Sequence, residues 1–449
     1  MTIDDRLKRV PEYTHFLTAA ELYQHAFDLA RERSSAVTCE IVGTSTEGQP
    51  IPMVRIGHGP ARILVFACPH PNEPIGAMLA HFLIDEIAAD DSLAEGRTWF
   101  ILPCVDPDGT RLNEGWFRGP FSIRNYAKNF YRPKPQDQVE WTFPMRYKTF
   151  VWDSPKPETQ ALMRAIDIAR PDVMYSLHNA GFGGAYYYVS EDLPGAHDIL
   201  HRIPVERGIP LSLGEPEVPW VKELYPAVYQ TSTTADSYDY YEMYAEGDPA
   251  SYIVAGAGST EYANTVCKPF SLVTEVPYFM SPKIGDVTPI ERTRREVVLE
   301  GVQKAKEILE TLDWLLKTTA GRVTEGTLFL EAVATFVGSG LRSLPSQEKW
   351  ALEAEGMDAK ATVAQEADSL YVGTFYRMLI ASMLQRAFAA QIGVAPDSVV
   401  EEASAELVRR IDGWATDIEE NLQYSVVPIR DLVQVQYGAL LAVLEAKNL

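Results

Sequence analysis

Apolar and polar positions along the chain follow two rhythms up to about residue 288 and a single one beyond it. Residues 11–35 place Phe16, Leu17, Ala20, Leu22, Tyr23, Ala26, Phe27, Leu29 and Ala30 at helical spacing, with Thr18 and Glu21 set as a capping box. Val37–Val42 and Pro52–Ile56, joined by a Gly-containing connection, predict a hairpin. The unbroken run Ile63-Leu64-Val65-Phe66-Ala67 predicts a strand covered on both faces. Gly76–Ala89 then predicts a helix, Thr98–Pro103 a strand, Thr159–Arg170 a helix and Val173–His178 a strand. Ala185–Val189 and Ser271–Val276 are further strand signals. Strands alternating with helices imply an α/β fold, with a mostly parallel mixed sheet flanked by helices.

From Ile290 onward the pattern is helical almost throughout. Glu291–Thr318 carries a long apolar stripe, and helical stretches follow at Gly326–Val337, Ser369–Ala390, Val399–Leu422 and Ile429–Lys447. Pro345, Gly373, Gly393, Pro396 and Pro428 are expected to punctuate them. The chain therefore divides into residues 1–288, an α/β domain, and residues 289–449, an all-helical C-terminal extension. That extension is expected to act as a helical domain of its own, a lid or an oligomerisation module.

A chain of 449 residues has room for one large or two medium cores. No apolar run reaches the length of a membrane span. The start, Met1-Thr2-Ile3-Asp4-Asp5-Arg6, lacks the apolar centre of a signal peptide. With 62 acidic against 40 basic residues the formal net charge is −22, a field that repels nucleic acid and anionic membrane. The four cysteines, Cys39, Cys68, Cys104 and Cys267, show no paired or metal-knuckle spacing. They read as reduced thiols, and the expected location is the cytoplasm.

The chemistry concentrates where strands end. Cys68-Pro69-His70-Pro71-Asn72-Glu73 sets a histidine and a glutamate three residues apart just after a buried strand, in the loop where open α/β sheets place their ligands. His plus Glu supplies two of the three protein ligands of a catalytic zinc, whose fourth position stays open to water. His178 ends a second apolar strand and can deliver a third ligand to the same edge. Glu275, inside Ser271-Leu272-Val273-Thr274-Glu275-Val276, is a carboxylate too costly to bury without a partner or a task. Arg111, Arg118, Arg124, Lys128 and Arg132, interleaved with Asn113, Asn125 and Asn129, form a basic segment in an acidic chain. Clustered cations in a loop suggest capture of a carboxylate and stabilisation of an oxyanion. His58, His81, His197 and His201 read as surface or helix histidines.

In order and spacing these residues resemble the zinc carboxypeptidases of the funnelin type over roughly residues 12–285. Gly43-Thr44-Ser45-Thr46-Glu47-Gly48-Gln49-Pro50-Ile51 looks like that family's early hairpin, and Asp106-Pro107-Asp108-Gly109 like its N-P-D-G turn. The resemblance implies one Zn²⁺ held by His70, Glu73 and His178, with Glu275 as general base and Arg118, after Trp116-Phe117, polarising the scissile carbonyl. It implies substrate contacts from Lys128, Arg111, Asn129 and Arg124, and a mobile tyrosine at Tyr252. The family's Asn-Arg grip on a terminal carboxylate is replaced here by Ala127-Lys128, and lysine meets a carboxylate as a point charge without arginine's fork. The expected activity is zinc-dependent removal of C-terminal residues from peptides. The alternatives are a zinc amidase or deacylase on N-acyl amino acids or cell-wall peptides, and a non-catalytic binding protein on a peptidase fold. The expected partner is a peptide or small amide substrate, with neither nucleic acid nor membrane, and the C-terminal helices are a candidate surface for a homo-oligomer.

Overall fold

In the computed structural model, which describes residues 1–449, nine strands join in one mixed sheet. They are β1 (Val37–Thr44), β2 (Pro50–Ile56), β3 (Ala61–Ala67), β4 (Arg97–Leu102), β5 (Val173–Leu177), β6 (Tyr186–Val189), β7 (Glu223–Tyr225), β8 (Val228–Gln230) and β9 (Phe270–Glu275). Their order across the sheet is β1-β2-β4-β3-β5-β9-β6-β8-β7. The centre, β4-β3-β5-β9, is parallel, and antiparallel pairs lie at the flanks. Register sets where these central strands end. Ala67 pairs with Leu177, and Leu177 with Thr274, so β3, β5 and β9 finish level with one another. The residues just past those three strands emerge at a single edge of the sheet, the side on which open α/β sheets bind. Strands β7 and β8, three residues each, are too short to show an alternation and have no counterpart in the sequence reading.

Among the helices of this half are α1 (Ala19–Glu32), α2 (Ile75–Ala89), α3 (Ile123–Asn129), α4 (Pro157–Ala169) and α5 (Pro194–Glu206). Thr18 and Glu21 close the expected capping box: Glu21 N–H donates to the Thr18 hydroxyl at 3.2 Å, and Thr18 N–H to the Glu21 carboxylate at 2.8 Å. Helix α4 covers one face, packing Leu162 and Ile166 with Leu64, Phe66 and Met174. Helix α2 covers the other, with Leu79 and Leu83 in the same apolar cluster as Ile63, Val65 and Tyr175. Gly76 makes the close approach possible, because a Cβ there would lie 2.4 Å from that of Leu177. The helix thus presses on the residue before His178.

The long C-terminal helices are α6 (Arg294–Thr318), α7 (Thr327–Glu353), α8 (Gly373–Val394), α9 (Ser398–Leu422) and α10 (Ile429–Ala446). Pro345 does not break a helix as expected; it lies inside the 27-residue α7. A proline removes one backbone donor, and here serine hydroxyls reach the nearby carbonyls, Ser343 Oγ donating to Gly340 O at 2.9 Å and Ser346 Oγ to Ser343 O at 2.7 Å. The apolar cluster around Ile63 and Leu79 runs on through Phe375, Met378 and Leu440, so the core is continuous across residue 288. Helix α10 is buried along most of its length. Tyr437 meets Phe82 edge-on at 5.3 Å, and Gly438 lets the helix settle against Ile203 of α5. Gln436 reaches furthest: its Nε2 donates to the carbonyl of His178 at 2.7 Å. The last helix of the chain is therefore tied to the strand end that carries the site. No helix is long and apolar enough to cross a membrane, and the four cysteines are free thiols.

Candidate metal centre

Three strand ends bring the polar groups together. Beyond β3, Cys68 adopts a left-handed backbone (φ 53°), uncommon for a residue with a side chain, and this turns the chain out of the sheet. Glu73 N–H donates to His70 O at 3.1 Å, closing the turn between the two side chains. His178 comes directly after β5, and Glu275 is the last residue of β9. All four are buried. One donor atom from each of His70, Glu73 and His178 lies within 4.8 Å of the other two, a spacing that can hold a metal ion. His178 Nδ1 is 3.1 Å from Glu73 Oε2 and 3.9 Å from Glu275 Oε1. Its other nitrogen, Nε2, is 2.8 Å from Ser176 Oγ, a contact that fixes the ring with Nδ1 toward the carboxylates. His70 Nδ1 is buried and has no hydrogen-bond partner. A desolvated imidazole nitrogen with nothing to bond is costly unless a ligand completes it, so two imidazoles and a carboxylate fit zinc.

The charges are strongly coupled. Burial, then Arg132 and His178, push His70 well below its usual range, leaving it neutral with a free lone pair. Burial also acts downward on His178, but the hydrogen bond and charge of Glu73, with Glu275 and Glu140 behind, outweigh it and lift the imidazole to about 9. Burial and the neighbouring Glu73 push the Glu275 carboxyl well above the carboxylate range, the direction suited to a group that takes and returns a proton. Arg132 is the cation at the centre. Its Nη1 donates to Glu73 Oε1 at 2.9 Å and its Nε to Gln138 Oε1 at 3.0 Å, and its guanidinium lies over the Trp141 ring at 5.2 Å.

These groups line a cavity of about 1010 Å³ whose far wall comes from the C-terminal helices, including Phe336, Tyr376, Arg377 and Met383. Tyr252 lines it too, its ring stacked on Tyr241 at 4.8 Å and its hydroxyl donating to Glu246 O at 3.0 Å. The other expected substrate contacts, and Arg118, expected to polarise the scissile carbonyl, are elsewhere. Arg118 is 66 % exposed and pairs with Glu21 at 3.3 Å. Arg111 pairs with Glu47 and lies 3.7 Å from Asp108. Arg124 pairs with Asp412 and, at 2.8 Å, with Glu419 on α9. Lys128 is exposed, and Asn129 Nδ2 donates to Asn125 O at 2.9 Å. None of the five lines the cavity. The reason is periodicity. Residues 123–129 form helix α3, and its inward face is Ile123, Tyr126 and Ala127, which turns positions 124, 125 and 128 outward. Trp116 and Phe117 beside Arg118 are core side chains, not a cleft wall. Glu140, Trp141, Tyr376 and Arg377 escape a reading of the sequence, and no local motif marks them.

Asp368, where the chain turns into α8, also faces the cavity. Burial, with Glu215 and Glu217 behind it, pushes its carboxyl up to about 7. The unfolded chain loses that proton near pH 4. Ionising Asp368 therefore costs the folded protein stability progressively between about pH 4 and pH 7, and the full cost applies above that window. Asp368→Asn is expected to raise stability at pH 8 by about 4 kcal/mol, seen as a higher Tm, and to leave Tm nearly unchanged at pH 4; thermal melts at both values check this.

A family model described as zinc carboxypeptidase matches residues 22–283. A buried His-Glu-His cluster on the edge of an α/β sheet is the kind of site metallohydrolases use, and this chain belongs to the zinc carboxypeptidase family. Among solved structures it is similar to carboxypeptidase A from Helicoverpa armigera, at 18 % identity over 59 % of this chain and 65 % of that one, with a TM-score of 0.37. A metallo-carboxypeptidase from Burkholderia cenocepacia is 16 % identical over 58 % and 61 %, with a TM-score of 0.36. Bovine thrombin-activatable fibrinolysis inhibitor is 13 % identical over 59 % and 86 %, with a TM-score of 0.35. The chain thus spans just under two thirds of the first two.

Proposed function

We propose that this protein hydrolyses amide bonds with a zinc ion held by His70, Glu73 and His178, and that its substrate is the C-terminal peptide bond of a small peptide. One observation carries the reading: level strand ends place two imidazoles and two carboxylates at one wall of a single cavity. Held by these three side chains, a zinc ion would supply Lewis acidity toward a water and the scissile carbonyl. Glu275 takes the proton from the attacking water and passes it to the leaving nitrogen. Arg132, not Arg118, is the cation near enough to meet the developing oxyanion.

The terminal carboxylate needs a grip, and α3 does not provide one. Arg377 of α8 lines the cavity, makes no ion pair, and donates only to Gly373 O of its own helix, at 2.6 Å. Burial pushes its guanidinium down to about 10, the mark of a cation short of an anion. Its neighbour Tyr376 accepts the Gly181 N–H at 3.2 Å, which sets this turn of α8 against the loop after His178. Arg377 would take the carboxylate in a bidentate fork. The placement of Lys128 and Asn129 off the cavity favours the second reading, an amidase indifferent to a free terminus. A panel of N-acyl dipeptides and their C-terminal amides separates the two. The free acids are expected to show kcat/KM at least ~10-fold higher. Arg377→Met is expected to erase that preference through KM more than kcat. Amides cleaved as well as acids would establish the amidase instead.

A further inference from the structure

A second group of ligand-type side chains lies between α1 and α2, and none of them lines the cavity. His81 and Asp85 are four residues apart on α2 and so share a face. His25 reaches them from α1. The rings of His25 and His81 lie 4.1 Å apart between centroids, tilted by 36°. One donor atom from each of the three side chains lies within 4.8 Å of the other two. A zinc tetrahedron sets ligand atoms about 3.3 Å apart, so small side-chain rotations would close the set.

His25 Nε2 is 3.0 Å from Asp85 Oδ1, a contact that an ion pair would make as well. One detail separates the cluster from a plain ion pair. His81 Nδ1 is buried and has no partner at all. That nitrogen has lost its water and gained nothing in the protein. The cluster is still reachable, since the His25 and Asp85 side chains keep 25 % and 47 % of their surface. An ion can enter, and water can fill its remaining positions.

We infer that His25, His81 and Asp85 form a second, non-catalytic site for a transition-metal dication that clamps α1 to α2. Two imidazoles and one carboxylate suit Zn²⁺, Co²⁺ or Ni²⁺ and not the all-oxygen preference of Ca²⁺ or Mg²⁺. The sequence holds the signal only as His81-x-x-x-Asp85, which a lone helix carries by chance; the third ligand is visible once α1 packs on α2.

The test is a cobalt titration of metal-free full-length protein, read by bound ions per chain and by the visible absorption of the bound Co²⁺. The parent is expected to take two ions, and His81→Ala and Asp85→Asn one each, with hydrolysis unchanged in both variants. His178→Ala is expected to keep the ion between the helices, and the second equivalent is expected to raise Tm in the parent but not in Asp85→Asn. The inference is overturned if His81→Ala and Asp85→Asn bind as many ions as the parent, or if the parent stops at one ion and His178→Ala loses it. Uptake only in large molar excess, equal in parent and variants, is adventitious binding and overturns it as well. Failure of the catalytic centre would appear separately, as an ion count unaffected by His178→Ala.

Discussion

Glu275→Gln is expected to lower kcat by about 10³-fold, inside the range for loss of a general base, while zinc content stays that of the parent. The side chain closes β9 at the edge where β3 and β5 also end, and Glu275 Oε1 is 3.9 Å from His178 Nδ1. It is not one of the three donors that cluster within metal-binding distance. Glutamine keeps its volume and its ability to accept a hydrogen bond but cannot take a proton at neutral pH. KM is therefore expected to change little, the pattern of an interaction used in the transition state and not in binding. The substitution also removes a carboxylate pushed up by burial and by Glu73, so the metal-free variant should melt no lower than the parent. Zinc analysis and steady-state kinetics on one preparation decide it; a variant that keeps more than a tenth of the parental kcat rules out Glu275 as the base.

His178→Ala is expected to have the larger effect on the metal. It removes one of three donors and leaves Glu73 and Glu275 with Arg132 as the nearest opposing charge. Loss of a group that merely supports a ligand costs 10- to 100-fold in metal affinity, so loss of the ligand itself should exceed about 100-fold. Ligand binding to the folded state adds stability by mass action, ~4 kcal/mol at a thousand times Kd. Zinc bound at this centre should accordingly raise Tm of the parent by several degrees, and His178→Ala should forfeit that gain. The carbonyl of residue 178, which accepts from Gln436, is retained, so the link to α10 survives the substitution. Competition with a chromophoric chelator gives the affinity directly. An unchanged affinity would remove His178 from the ligand set.

The features legible in the sequence are those that depend on short stretches. Ile63–Ala67 and Val173–Leu177 are uninterrupted apolar runs and form the central strands; Thr18 and Glu21 form their capping box; His70, Glu73, His178 and Glu275 sit at strand ends and meet there. Register is not legible, yet register makes the three strand ends level. The basic segment misleads for a reason of the same kind. Arg124 and Lys128 read as loop cations, but the stretch is a helix whose apolar stripe, Ile123, Tyr126 and Ala127, turns them to solvent. Arg132, past the end of α3, escapes that period and reaches Glu73. Arg377, Tyr376 and Gln436 cannot be found from local pattern, because each acts on residues about two hundred or more positions away through packing of α8 and α10.

Metal reconstitution tests the central claim most directly. Protein stripped by chelator is titrated with zinc while bound ion and peptide hydrolysis are recorded together, in the parent and in His178→Ala. Hydrolysis is expected to be absent without metal, to rise with the first equivalent bound, to gain nothing from further zinc, and to stay absent in His178→Ala. Full hydrolysis by the zinc-free parent, or restoration of activity in His178→Ala by the same first equivalent, would contradict a reaction that depends on His70, Glu73 and His178 sharing one ion.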